Sequence, residues 1–200
     1  MLSLSNAMEL ENVTQTVLKK LKTELSPNLT YHSFEHTKDV LKASLLIADK
    51  AHISDYEKDL LTTAVLFHDI GFIYQSQNHE AKSCEIAKEM LPNFNYSTEE
   101  IEIICGMIMA TQIPQVANTK LEEIICDADL DYLGRDDFWE IADNLYKELV
   151  SFSVVTNEHD WNVIQEKFLG NHTYFTDFSI QNRTPKKILH IKAIKLKLTN

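Results

Sequence analysis

Leu60-Leu61-Thr62-Thr63-Ala64-Val65-Leu66-Phe67-His68-Asp69-Ile70-Gly71 is an apolar run that ends in an imidazole and a carboxylate. Residues three and four apart share one face of a helix. His68 therefore lines up with Leu61, Ala64 and Val65 and points where a core should be. Asp69 follows Val65 and Leu66 on an adjoining stripe. It falls in the last turn, where a bend in the chain lets both side chains of the pair face one point. Burying an imidazole beside a carboxylate is costly unless something pairs with them, and a divalent cation is one such partner.

The rest of the chain reads as more helices of the same kind. Ser54-Asp55-Tyr56-Glu57, Ser97-Thr98-Glu99-Glu100 and Thr119-Lys120-Leu121-Glu122 fit the capping box, in which hydroxyl and carboxylate satisfy the first free N–H groups of a helix. Thr184-Pro185 places proline at a first helical position. Gly71 and Gly170 follow apolar periodic runs and read as C-terminal caps, and Pro92 and Pro114 mark stops. The pattern predicts helices near 8–25, 35–52, 55–69, 79–91, 98–110, 120–132, 137–152, 158–169 and 185–198, with 171–182 the least regular segment. No alternating strand pattern and no low-complexity linker interrupts them. The expected fold is all-α: one helical bundle over residues 1–200, with a motif-bearing core at about 31–134 and later helices at about 137–198.

Two further residues complete a ligand set. His36 shares a face with Val40, Ala43 and Ile47. In Ile125-Cys126-Asp127-Ala128-Asp129-Leu130-Asp131, Asp129 lies with Ile125, Cys126, Tyr132 and Leu133, an apolar pattern. Asp127 lies with Lys120 and Glu123, so it reads as a supporting or surface residue, and Asp131 is the weakest of the three as a ligand. Burying His36, His68, Asp69 and Asp129 without a cation needs an extensive partner network. The set suits one divalent ion.

The net charge of −11 argues against broad nucleic-acid or anionic-membrane binding. No stretch is long enough to span a bilayer, and the first eight residues lack the pattern of a signal peptide. The scattered Cys84, Cys105 and Cys126 read as reduced core thiols, and the expected location is cytoplasmic. From Arg183 onward the chain is basic without an acid, which reads as a basic helix on an acidic body, with Ile188, Ile191, Ile194 and Leu198 inward.

His36, His68-Asp69 and Asp129 together resemble the H…HD…D signature of the HD superfamily of metal-dependent phosphohydrolases. Tyr31-His32-Ser33-Phe34-Glu35-His36 looks like the YHxxxH entry to its first ligand helix. Leu66-Phe67-His68-Asp69-Ile70-Gly71 looks like its LxHDIG core, and Asp127-Ala128-Asp129-Leu130-Asp131-Tyr132-Leu133-Gly134 is similar to its DADxLDxLG element. The resemblance covers about 31–134 and implies hydrolysis of a phosphate ester of a small metabolite, often a nucleotide. The ion it implies is Mn, Fe, Co, Ni, Zn or Mg, which a mixed N/O donor set accepts alike. Such an ion lowers the pKa of water and offsets phosphoryl charge. Some nucleotidases of this kind place a water-orienting Glu three residues after the HD aspartate; here that position is Phe72. Asp69, Glu80 and His79 are then the catalytic candidates, with Glu35 behind them. His32, Arg135, Arg183, Lys186 and Lys187 are the substrate-binding candidates. The helix at 98–110 holds no histidine, which favours one metal. His172 reads as structural, and His52, His159 and His190 as surface or packing residues. The alternative function is a non-catalytic regulatory domain that binds a nucleotide or a partner in the same cleft; a metal-free helical adaptor is the third.

Overall fold

The structure, a computed structural model, describes residues 8–199. Among them are nine α-helices and no strand. They are α1 (Leu10–Glu24), α2 (Phe34–Ala51), α3 (Asp55–Phe67), α4 (His79–Met90), α5 (Thr98–Ala110), α6 (Lys120–Asp129), α7 (Phe138–Ser151), α8 (Glu158–Asn171) and α9 (Asp177–Thr199). Short 3-10 turns at Ile70–Ile73, Leu91–Phe94 and Asp131–Gly134 follow α3, α4 and α6. The reading of the first residues as free of a signal sequence lies largely outside the described residues.

α3 is the central helix, packed against α1, α2, α4, α5 and α6. Leu60, Leu61, Ala64, Val65, Leu66 and Phe67 are all buried, so the helix is apolar on every side of its second half. That is what a helix enclosed by others requires. A second apolar cluster joins Tyr31, Leu133, Phe138, Trp161, Leu169 and Ile194 and holds α7, α8 and α9 to the 3-10 turn at Asp131–Gly134. All three capping boxes form, at Ser54 with Glu57, Ser97 with Glu100 and Thr119 with Glu122.

Several boundaries differ from the sequence pattern. α3 ends at Phe67 and α6 at Asp129, each passing into a 3-10 turn. α9 starts at Asp177 and runs through Pro185, so the proline is internal and not at the first position. The start of α9 is set from elsewhere. Asp127 accepts hydrogen bonds from the backbone N–H groups of Phe175 (2.9 Å) and Thr176 (2.8 Å), and Thr176 Oγ1 accepts one from the N–H of Ser179 (3.3 Å). Asp127 is thus fully buried, not a surface residue. Neither glycine is a left-handed cap: no glycine has positive φ, and Gly170 lies inside α8. His52 takes the left-handed position after α2 instead, at φ 52°.

The basic C-terminal helix does lie on acidic partners. Lys195 pairs with Glu166 (3.2 Å) and Lys197 with Glu158 (3.6 Å), and Lys186 pairs with Asp136. Its inward stripe is Lys187, His190 and Ile194, with Ile188 exposed. His190 Nδ1 bonds the Leu133 carbonyl at 3.0 Å while its ring stacks on Phe138. The three cysteines are buried and unpaired. No described helix is long and apolar enough to cross a membrane.

Candidate metal centre

Three helix ends meet at one point. Ser33 caps α2 by accepting from the N–H of His36 (3.3 Å), which places His36 in the first turn. His68 closes α3, and Asp69 adopts φ −107°, ψ 3°, a bend that leads into the 3-10 turn and swings its carboxylate toward the His68 ring. Asp129 is the last residue of α6. α3 and α6 thus present their C-terminal ends to the same place, and the partial negative charge of helix C-termini favours a cation there.

His36, His68 and Asp69 each offer a donor atom within 4.8 Å of the others, and Asp129 adjoins both imidazoles. His36 Nε2 lies 3.2 Å from Asp129 Oδ1 and 3.5 Å from Asp69 Oδ2. His68 Nε2 lies 3.3 Å from Asp69 Oδ2 and 3.7 Å from Asp129 Oδ1. Donors that share one ion at about 2.1 Å stand roughly 3.0–3.4 Å apart, from right-angled to tetrahedral geometry. His68 Nδ1 sits 2.7 Å from the Val65 carbonyl, so that nitrogen carries the proton and Nε2 turns a lone pair inward. Nε2 of His68 and Oδ2 of Asp69 are both buried without a hydrogen-bond partner. In the neutral ring these are two acceptors facing each other, which need a proton or a metal cation between them, and the residues fit a divalent ion. Burial pulls the His68 imidazole down, but Asp69 and Asp129 outweigh it and hold it well above its ordinary range. Burial likewise pushes Asp129 up, and His36 and His68 outweigh it to hold the carboxyl at about 2.

Around this centre stands a ring of supporting groups. His79 Nε2 is 3.3 Å from Asp69 Oδ1 and 3.5 Å from Glu80 Oε1, and its Nδ1 is 3.1 Å from the Ser76 carbonyl. Glu80 is buried and accepts from Gln112 at 3.5 Å. Gln115 reaches Asp129 Oδ2 at 3.5 Å. α4 comes close because Gly71 has no side chain: a Cβ there meets the His79 carbonyl oxygen at 2.1 Å. Ser83 ties the same corner together, accepting from the Gly71 N–H (2.9 Å) and donating to the His68 carbonyl (2.8 Å). Phe72 lies between two imidazoles, 4.1 Å from the His32 ring and 4.0 Å from the His79 ring.

His32 has a dedicated partner that sequence reasoning missed. Glu148 of α7, buried at 3 % exposure, faces His32 Nδ1 at 2.5 Å and accepts from the N–H groups of Tyr31 (2.8 Å) and His32 (3.0 Å). Burial raises the Glu148 carboxyl, but His32 and the two N–H groups outweigh it and hold it below its ordinary range. A signal was present: Glu148 falls on the apolar stripe Ile141, Leu145, Leu149 of α7, where a lone carboxylate needs a reason.

His32, Asp69, His79, Glu80 and Asp129 line one end of a cavity of about 260 Å³. The other cationic candidates lie away from it. Arg183 bonds Asp131 (2.6 Å), and Arg135 bonds Asp39 (2.8 Å) and Asp137 (2.8 Å) in a separate cleft. Lys186 is paired with Asp136 in that cleft. Lys187 is buried, and its ammonium donates to the carbonyl and ring of His172. Each of these cations already has its carboxylate or carbonyl, which is why none reaches the cavity. Glu35 is exposed and pairs with Lys38.

Residues 33–131 match the HD domain family. The chain carries an HD domain. The HD-domain protein also resembles an uncharacterized protein of Clostridium beijerinckii, at 37 % identity over 86 residues, covering 42 % of this chain and 54 % of that one. The chain thus matches about half the length of this curated relative. Among solved structures it resembles a predicted HD superfamily hydrolase from an uncultured Thermotogales bacterium. That likeness has a TM-score of 0.62 and 17 % identity, over 96 % of this chain and 92 % of the other. At that identity the match speaks for the fold, and it extends the likeness over α7, α8 and α9.

Proposed function

We propose that this HD-domain protein is a metal-dependent phosphohydrolase acting on a phosphate ester of a small metabolite, a nucleotide being the leading class. The observation that carries the reading is the convergence of His36, His68, Asp69 and Asp129 at the polar end of a cavity. His36, His68, Asp69 and Asp129 would hold one divalent ion, drawn from Mn, Fe, Co, Ni, Zn and Mg. When bound, the ion activates water and offsets charge on the phosphoryl group.

The chain's own residues supply the proton traffic. The oxygen of water forms the new bond to phosphorus, and the ester P–O bond breaks. Glu80 takes the proton from the attacking water, with His79 orienting it at 3.5 Å. His32 gives a proton to the leaving oxygen. Glu148 keeps Nδ1 of His32 protonated and aligned, and leaves Nε2 as the ring's remaining polar atom beside the cavity. The net charge of −11 and the paired state of Arg135, Arg183 and Lys186 support a small metabolite over nucleic acid or a membrane surface.

The test is phosphate release from a panel of nucleotides and other phosphate esters by protein loaded with each ion in turn, its content measured by elemental analysis. Turnover that disappears in Asp129→Ala is the expected result. A fully occupied site with no turnover of any phosphoester refutes the reading. Tight nucleotide binding without hydrolysis in that case identifies a regulatory domain instead.

A further inference from the structure

The ionisable side chains His32, Asp69, His79, Glu80 and Asp129 all gather at the metal end of the cavity. Beyond Asp129 its wall is Leu145 and Leu149 of α7 and Trp161, Ile164 and Phe168 of α8. No lysine or arginine is among the described residues that line it. Residues 1–7 and 200 contain none either. A diphosphate or triphosphate carries more negative charge than one divalent ion offsets, and proteins hold the excess with arginine or lysine. A simple sugar phosphate, with no aromatic group to fill that wall, would leave its hydroxyl groups against leucine and phenylalanine, where they lose water and gain no partner. One polar group stands in the apolar part. Gln165 is 4 % exposed and lines the cavity, and its side-chain oxygen is buried without a hydrogen-bond partner. Such an amide is costly to bury unpaired.

Resting on the phosphohydrolase reading, we propose that the cavity selects phosphomonoesters whose organic part is an aromatic or heteroaromatic group. α8 is the specificity wall: Trp161, Ile164 and Phe168 enclose the ring, and the Gln165 amide bonds a polar group on its edge. The reaction itself is unchanged. Water's oxygen bonds to phosphorus, the ester P–O bond breaks, and the ring-bearing group leaves as its alcohol with the proton from His32.

Calorimetric titration of non-hydrolysable phosphonates into protein saturated with manganese(II), its occupancy measured, reads the selectivity without turnover. Naphthylmethylphosphonate is expected to bind roughly 10- to 100-fold tighter than methylphosphonate, the gain of burying one aromatic ring. Ile164 is 43 % exposed, so Ile164→Arg alters the wall at little risk to folding. It is expected to erase most of that preference and to strengthen methylenediphosphonate. Gln165→Met is expected to weaken a quinolone-bearing phosphonate by roughly 5-fold and leave the naphthyl compound unchanged. Equal affinity for the methyl and naphthyl compounds, or tightest binding of the diphosphonate by the unaltered protein, overturns the proposal. Kinetics separate the two readings. Hydrolysis that favours glycerol phosphate or nucleoside triphosphates over naphthyl phosphate sinks the selectivity alone. No hydrolysis of any ester sinks the phosphohydrolase reading, and the binding series still decides the selectivity.

Discussion

Gly71→Ala perturbs the candidate metal centre without removing any polar group. The new Cβ falls 2.1 Å from the His79 carbonyl oxygen, 2.9 Å from its carbon and 3.0 Å from Ser83 Oγ. Ordinary contact needs about 3.4 Å, so the start of α4 has to retreat by more than 1 Å. The obstacle is backbone and cannot rotate away. Overpacking of this kind costs about 1–3 kcal/mol, and the upper end applies because the Ser83 hydrogen bonds to Gly71 and His68 are strained as well. For a chain of this size about 3 kcal/mol lowers Tm by roughly 6–12 °C. The retreat also carries His79 away from Asp69, so metal affinity falls together with stability. Gly170→Ala is the matched control. It lies inside α8, and its Cβ meets nothing within 4 Å. It is expected to stabilise by about 0.5–1 kcal/mol through helix propensity. Thermal unfolding and metal titration of both variants make the check. A Gly71→Ala protein that melts within about 2 °C of wild type and binds metal unchanged would refute the claim that this close approach sets the geometry of the centre.

Further outcomes are expected at other sites. A divalent ion at about 100 times its Kd is expected to add about 2.7 kcal/mol of stability, seen as a rise of roughly 5–10 °C in Tm; His68→Ala, which breaks the donor set, is expected to show no rise. Glu148→Gln keeps the shape but removes the charge beside His32. It is expected to lower kcat roughly 10²-fold with KM little changed; an unchanged kcat rules out His32, held by Glu148, as the proton donor. Burial and then the Lys187 ammonium hold His172 down at about 3. The unfolded chain takes up a proton near pH 6.5 and the folded one does not, so stability is complete above 6.5 and drops by about 1.4 kcal/mol per pH unit below it. Between pH 7 and 5, with chelator present, wild type is expected to lose about 2 kcal/mol more than His172→Gln in urea unfolding; equal losses would show that His172 titrates normally when folded.

Much of the centre was legible because helical spacing places side chains by arithmetic. His36 with Val40 and Ala43, and His68 with Ala64 and Val65, point inward whatever packs against them. The capping boxes were legible for the same reason, since both partners lie within one turn. The start of α9 was not, because the acceptor that caps it is Asp127, nearly fifty residues upstream. The cations Arg135, Arg183 and Lys187 looked free in one dimension and are taken in three, by Asp39, Asp131, Asp137 and His172. The role of Gly71 also changed. It reads as a helix cap in the sequence and is a contact point with α4 in the fold.

The sequence by itself determined most of the helices and the inward facing of His36 and His68, which depend on neighbours within a turn or two. Only the tertiary structure decided that Glu148 orients His32, that Phe72 spaces His32 from His79, and that an apolar wall from α7 and α8 closes the cavity. Those contacts join residues far apart in the chain. Their partners are chosen by how the helices pack, and no local period in the sequence records that choice.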